Sequence, residues 1–524
     1  MSGIGRTRSI TLAGLRGSVV EVEADIAQSL PGFTLLGLPD QSLQESRDRI
    51  RSAARNAGLP LTRRHLTVNL LPAGVHKRGS CHDLAIVMAA YAADGAVRGA
   101  HGPVFLAELG LDGSLHGAAD TVALAMAAVE AGHRDLVVAA DAVGQAALVP
   151  GARVRGYGHL HHVVRAFGGR PDPVPGVASH GQAVEPATRD GREEGASNVG
   201  DLAEVCGQLE ARYALEVAAA GGHHVLLRGR PGAGKTMLAE RMPGILPPLD
   251  DRTALQVTAL RSLRGDAPSP SSLDTRPPFE APHHSASTAA LVGGGAGLAR
   301  PGAASLAHGG VLFLDEAPEF SRSALEALRQ PLESGRVQLH RALATVEYPA
   351  RFQLVLAANP CPCGHGDGAA TSCECSVAQR RRYRERLSGP LLDRVDMQVS
   401  VQPLTGAELS AGRTGEPSAR IARRVANAAR AQRHRWRQAG DTAGAALSNA
   451  RVPASVLRHG RFALAPSTRA PLDAAVDTGL LSGRGHTRVL RVAWSVADLR
   501  GADCPSRDDV DVALHLRQNA EENA

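Results

Sequence analysis

The segment Gly229-Arg230-Pro231-Gly232-Ala233-Gly234-Lys235-Thr236 constrains this chain more than any other feature. It satisfies the pattern G-x-x-x-x-G-K-[ST] in full, directly after an apolar run at 225–227 and directly before a helix-forming stretch. Glycines let backbone N–H groups close round phosphate oxygens, and the start of the next helix adds its dipole. Lys235 is then placed to reach the outer phosphates, and Thr236 to offer a hydroxyl to Mg2+. Residues 229–237, with Met237 the last of them, are the expected nucleotide-binding segment. Composition sharpens the point. Of 58 basic side chains only Lys77 and Lys235 are lysines, so a compact ammonium survives at two places where a flat guanidinium is no substitute.

Two further apolar runs complete the pattern. Val311-Leu312-Phe313-Leu314 ends in Asp315 and Glu316, and the run 352–358 ends in Asn359. At the end of a strand, Asp315 is expected to hold Mg2+ through water and Glu316 to polarise an attacking water. Asn359 either orients that water against the γ-phosphate or simply forms a turn before Pro360. Short continuous apolar runs separated by helical segments predict strands buried on both faces of a parallel sheet, hence an α/β fold.

The chain divides by composition. Residues 1–168 form a mixed α/β unit, with strand patterns at 19–22 and 65–71, a helical pattern at 42–57 and a core helix at 84–93. Residues 169–198, rich in Gly, Pro and charge, are expected to be a linker. The nucleotide-binding unit runs over 199–403, interrupted by an irregular insertion at 264–308, and 418–524 is helical. No apolar stretch reaches the ~20 residues that span a bilayer. The first fifteen residues lack an apolar block of signal length, and seven cysteines argue against a disulfide framework. A cytoplasmic protein without a membrane partner is expected.

Cys361, Cys363, Cys373 and Cys375 fall within fifteen residues. Four thiolates suit a structural Zn2+, although C-x-C is tighter than the commoner spacing, and reduced free thiols are the alternative. The next segment, Gln379 to Arg386, is an arginine cluster around Tyr383. Over 376–437 there are 14 arginines against five acids, a surplus of nine, while the whole chain carries only +6. The positive charge is therefore regional, and it fits contact with a nucleic-acid backbone as well as a solvated face.

Several long segments resemble the magnesium-chelatase-like AAA+ family of the YifB/ComM type. They are Ala218-Ala-Ala-Gly-Gly-His223-His224, Ala281-Pro-His283-His284-Ser-Ala-Ser287, residues 305–320, Asn359-Pro-Cys361-Pro-Cys363-Gly364, and residues 387–396. The resemblance covers essentially the whole chain. It implies an AAA+ P-loop core with a Lon-protease-like N-terminal α+β domain and a C-terminal helical lid. It also implies a ring, hexameric, with ATP bound between subunits, working on single-stranded or branched DNA as a helicase or branch-migration motor. By position, Asn359 resembles sensor 1, Arg394 the arginine finger, and Arg484, rather than Arg488, sensor 2. His283, His284 and the hairpin carrying His340 and Arg341 resemble pore loops. In the N-terminal unit, Cys81 and His116 stand where the related proteases have a Ser/Lys dyad, which implies a non-proteolytic domain, with Lys77 facing nucleic acid or a partner. The rival reading is a chelatase motor for metal insertion into a tetrapyrrole, and the next an ATP-fuelled protease.

Overall fold

A computed structural model describes residues 3–37, 40–72, 74, 77, 80–178, 183–184, 199–265, 272–295, 299–340, 345–366, 373–406, 415–439 and 448–518. Alternating side chains dictate the N-terminal sheet. In β2 (Arg16–Ala27), Val20, Val22, Ala24 and Ile26 are buried while the residues between them face outward. Strand β2 pairs antiparallel with β1 (Gly5–Ala13) and β4 (His65–Leu71), and β4 pairs parallel with β3 (Gly32–Leu36). On the other side of β1 follow β5 (Val104–Leu106), β8 (Asp135–Ala139) and β9 (Arg153–Tyr157), all parallel. The order is β3-β4-β2-β1-β5-β8-β9, and a short ribbon of β6 (Glu108–Leu109) and β7 (Leu115–His116) lies apart. The helix Asp83–Ala93 is buried all round except at Ala92, as its unbroken apolar composition requires.

The central sheet obeys a different rule. Its order is β11 (Phe279–Glu280), β12 (Val311–Leu314), β15 (Gln353–Ala358), β10 (Val225–Arg228), β16 (Met397–Ser400), and every pair is parallel. Period-two alternation sends Val225, Leu227, Val311, Phe313, Val355 and Ala357 into one hydrophobic cluster. Leu226, Leu312, Leu314, Leu354 and Leu356 enter another on the opposite face. Both faces are covered, which explains why these strands read as unbroken apolar runs.

The first of those clusters does not stop at the sheet. It continues through the helix Leu209–Gly221 into Ile421, Val425, Trp436, Leu490, Trp494, Val510 and Leu516, so the C-terminal helices share the sheet's core. Trp436 is their anchor. It is almost fully buried, its ring lies edge-on to Trp494 at 5.7 Å and to Phe462 at 5.0 Å, and its Nε1 donates to Asn449 Oδ1 at 2.9 Å.

The N-terminal unit is fastened to this body. Leu255 and Ala259, from the helix Asp251–Arg264, belong to the N-terminal core, and Arg16 pairs with Glu347 at 3.0 Å. Glu347 lies in the hairpin of β13 (Arg336–His340) and β14 (Thr345–Pro349), and its backbone bridges to Gly14. Part of the expected linker adheres to the N-terminal unit: Asp172 N–H donates to Gly58 O at 2.8 Å, and Val184 pairs with Gly156. Residues 179–182 and 185–198 lie outside the described residues.

Replacing Trp436 by Ala removes the largest fully buried side chain among the described residues and takes the Trp436 donor from Asn449 Oδ1. A loss of about 3–5 kcal/mol is expected, read as a lower urea midpoint by circular dichroism.

Candidate nucleotide site

In a parallel sheet all strands finish on one edge, and here three of them finish in chemistry. Strand β10 runs into the glycine loop, β12 into Asp315 and Glu316, and β15 into Asn359. Gly232 and Gly234 take φ of +78° and +94°, which a side chain would disfavour. Gly229 is required for another reason: a Cβ there would lie 2.1 Å from the carbonyl oxygen of Val401.

Lys235 is buried, and its ammonium donates to Gly229 O at 2.7 Å, Arg230 O at 3.0 Å and Asn359 Oδ1 at 3.0 Å. Burial lowers its pKa, and the Asp315 and Glu316 carboxylates work against that shift. Thr236 Oγ1 donates to Asp315 Oδ2 at 2.8 Å, bringing together the hydroxyl and carboxylate expected at Mg2+. Asp315 Oδ1 also accepts from the Glu316 N–H at 2.9 Å. Met237 is exposed on the first turn after the loop.

The cysteine segment abuts this edge. All four sulfurs lie within 4.8 Å of one another and all four thiols are free. Cys361 Sγ is 3.2 Å from Cys363 Sγ and 3.8 Å from Cys373 Sγ. Gly364, at φ +83°, packs on the glycine loop so closely that a Cβ would sit 2.6 Å from Pro231 Cγ.

Arg394 and Arg484 are elsewhere. They line a cavity of about 560 Å³ together with His224, Arg351, Phe352 and Asp396. Those four residues precede or begin strands β10, β15 and β16, so the cavity is at the opposite edge of the sheet from the glycine loop. Arg394 donates to Pro390 O at 2.5 Å and pairs with Glu333. Burial lowers its pKa, and Arg329, Arg484 and Arg488 push the same way. Arg488 is tied to buried Asp396. Burial alone would raise the Asp396 carboxyl, but Arg488 with His223 and His224 holds it well below the usual range. Arg484 is 74% exposed, 3.7 Å from Asp393. Arg491, two turns beyond Arg484 on the helix Gly483–Arg500, lines the same cavity, as do Arg351 and Arg451, which are scattered in sequence and gave no signal beforehand.

Other expectations need correction. Tyr383 is buried, so it cannot stack on a base. Of the arginines around it, Arg381 pairs with Glu385 and Arg386 with Glu319, while Arg382 and Arg384 are exposed. Further along, Arg424 is held by Glu216 and Glu416, and Arg435 by Asp498 over the Trp494 ring, so both stabilise the helical region. Lys77 is 1% exposed and donates to Pro72 O at 2.5 Å, so it faces the interior of its own unit. Cys81 is buried, which pushes its thiol pKa far up, and its near polar neighbours are Ile10 O and His82 rather than the exposed His116. A thiol kept protonated is a poor nucleophile. Arg341 lies outside the described residues.

A glycine loop, an acid pair and an amide on one edge of a five-stranded parallel sheet define a P-loop nucleotide-binding protein. Three family models match the chain: "Magnesium chelatase, subunit ChlI" over 201–409, "Subunit ChlI of Mg-chelatase" over 22–142, and "Magnesium chelatase, subunit ChlI C-terminal" over 415–517. A Mycobacterium tuberculosis protein named Rv2897c is 47% identical over 517 residues, covering 98% of this chain and 99% of the relative. Escherichia coli YifB is 38% identical over 513 residues, covering 96% and 95%. Competence protein ComM of Haemophilus influenzae is 38% identical over 491 residues, covering 93% and 92%. The chain belongs to the magnesium-chelatase-like AAA+ family of the YifB/ComM type. No described helix is long and apolar enough to cross a membrane.

Lys235→Ala removes a donor able to hydrogen-bond a charged phosphate, worth about 1.5–3 kcal/mol. ATP affinity is expected to fall about 10- to 100-fold, measured by titration with a fluorescent ATP analogue.

Proposed function

We propose that this protein is a Mg2+-dependent ATPase that assembles into a ring, a hexamer by family resemblance, and drives helicase or branch-migration work on DNA. One observation carries the ring: the glycine loop and the Arg394–Arg484 cavity occupy opposite edges of one sheet. Within one chain those arginines are turned away from the nucleotide; in a head-to-tail ring they belong to the neighbour's γ-phosphate, Arg394 as finger and Arg484 as sensor 2. Arg488, spent on Asp396, is the weaker candidate. Thr236 and Asp315 hold the metal, which neutralises phosphate charge when bound. Glu316 takes a proton from the attacking water and Asn359 orients that water.

The DNA assignment rests on the exposed arginines of the helix Val377–Glu385 and the regional surplus of positive charge, with the name of the competence relative as support. On this reading, residues 1–168 are a non-proteolytic Lon-like domain, 169–198 the linker, 199–403 the AAA+ unit and 418–524 its lid, and the protein works in the cytoplasm. A chelatase-type motor is the second reading, favoured by the names of the matching models.

Strand displacement on forked and four-way DNA decides between them. Wild type is expected to unwind, and Glu316→Gln to lose ATP turnover by about 10²–10⁴-fold. ATPase stimulation by a porphyrin or unfolded protein, with none by DNA, overturns the assignment.

The four cysteines we assign to a structural Zn2+. Tetrahedral thiolates about 2.3 Å from zinc stand about 3.8 Å apart, close to the 3.7 and 3.8 Å separations between Cys373 and its two neighbours. One zinc per chain is expected by atomic absorption, falling below half in Cys373→Ser.

A further inference from the structure

The helix Ser418–Gln438 contains seven arginines and no acidic residue. Its two long faces are cleanly sorted. Ser418, Ile421, Val425, Ala428, Gln432 and Trp436 are buried. Gln432 Nε2 donates to Ala220 O at 2.8 Å, and its Oε1 accepts from the Asn449 N–H at 2.9 Å, so the helix cannot roll about its axis. Arg420, Arg423, Asn427, Arg430, His434 and Arg437 are all exposed, at steps of three and four residues. Such steps draw one straight row along a helix, and an offset of two residues from the buried set turns that row to the opposite side.

The row carries more charge than the chain neutralises. Arg420 pairs with Glu416 at 2.9 Å, while Arg424 and Arg435, off the row, are held by Glu216, Glu416 and Asp498. Arg423, Arg430 and Arg437 meet no carboxylate among the described residues. Arg423 Nε donates to Ala419 O at 3.3 Å, and Arg430 to Asn427 Oδ1. The helix dipole favours a cation at Arg437, in the last turn, but opposes one toward the start, where Arg423 stands. Surface helices commonly offset such cations with acids three or four positions away, and this helix has none.

The spacing indicates the kind of partner. Arg423, Arg430 and Arg437 stand seven residues apart, about 10 Å along the axis, which is roughly a Debye length at moderate salt. Each guanidinium therefore meets its own anionic group, which suits an extended polyanion better than a single small anion. The guanidinium fork matches phosphate oxygens in pairs. The row exposes no aromatic ring, since Trp436 points into the core, and so lacks the stacking platform that holds single strands. A helix with one face sunk in the core is poorly placed to enter a groove, which leaves sequence-blind contact with the backbone.

We propose that this row is a docking surface for the phosphate backbone of duplex DNA, holding a double-stranded arm against the C-terminal helices. That the polyanion is DNA rests on the function proposed above; the sorting of the helix into a buried and a cationic face does not.

The test is a salt titration of binding by the full chain to a labelled blunt duplex and to oligothymidine, read by fluorescence anisotropy. Wild type is compared with Arg423→Gln, Arg430→Gln and Arg437→Gln combined, and with the matching Arg→Lys triple. Circular dichroism checks folding, and Arg430→Gln alone serves should the combined variant fold poorly. With three phosphate contacts gone, the slope of log affinity against log salt is expected to become shallower by about 2.7, or about 0.9 for the single variant. Duplex affinity at physiological salt falls about ten- to hundredfold in the Gln triple. The Lys triple keeps the wild-type slope, and oligothymidine binding does not change. An unchanged duplex slope in the Gln triple overturns the proposal, as does an equal loss with oligothymidine. So does a wild type that binds polyglutamate or phosphatidylglycerol vesicles in place of the duplex. Unwinding of forked DNA separates this surface from the motor. If wild type unwinds while the Gln triple keeps the full duplex slope, only the docking surface falls. If the slope changes as expected but wild type never unwinds, only the motor reading falls.

Discussion

The nucleotide edge turns on one buried ammonium. Taking the charge of Lys235 out of water is costly, and the structure offsets that with three oxygen acceptors at 2.7–3.0 Å and two nearby carboxylates. None of the three acceptors carries a formal charge. An arriving phosphate therefore competes for the ammonium against neutral partners, one of which is the Asn359 amide. Lys235 and Asn359, the ends of two different strands' loops, are already bonded to each other, across 124 positions of sequence. The three strands that deliver them are buried on both faces, so their ends are held by two hydrophobic clusters at once.

This explains what could be read from the chain alone. The runs 225–227, 311–314 and 352–358 announce themselves because strands covered on both sides are almost wholly apolar, Gln353 at the start of β15 being the exception, and the candidate site residues sit immediately beyond each run. The N-terminal strands and the helix at 40–56 were visible through ordinary periodicity. What escaped were relations between segments distant in sequence. The approach of His284 to Glu316 follows from strand register, and β11 is only two residues long, too short to leave a pattern. The arginines at 351, 451 and 491 converge from three separate segments. Residue identity misled where burial overrode it: Tyr383 looked like part of a nucleic-acid contact and Lys77 like a residue facing nucleic acid or a partner, and both point inward.

Arginine has two occupations here. Some are internal ties, such as Arg424 between Glu216 and Glu416, or Arg435 between Asp498 and two tryptophan rings. In those places the planar fork satisfies two oxygens or lies on an aromatic face, which an ammonium would do poorly. Others, Arg382 and Arg384 among them, project into solvent. A raw count of positive charge conflates the two, and only the second group is available to a polyanion.

The hairpin β13–β14 has a further consequence through its attachment to the N-terminal sheet. Glu347 meets Arg16 and the backbone of Gly14, and Val346 and Tyr348 share a small apolar cluster with Leu260 and Leu306. A tug on this ribbon is not absorbed by two strands bending alone in water. It is passed to a seven-stranded slab, which acts as a flywheel and spreads a local jerk over a large, stiff mass.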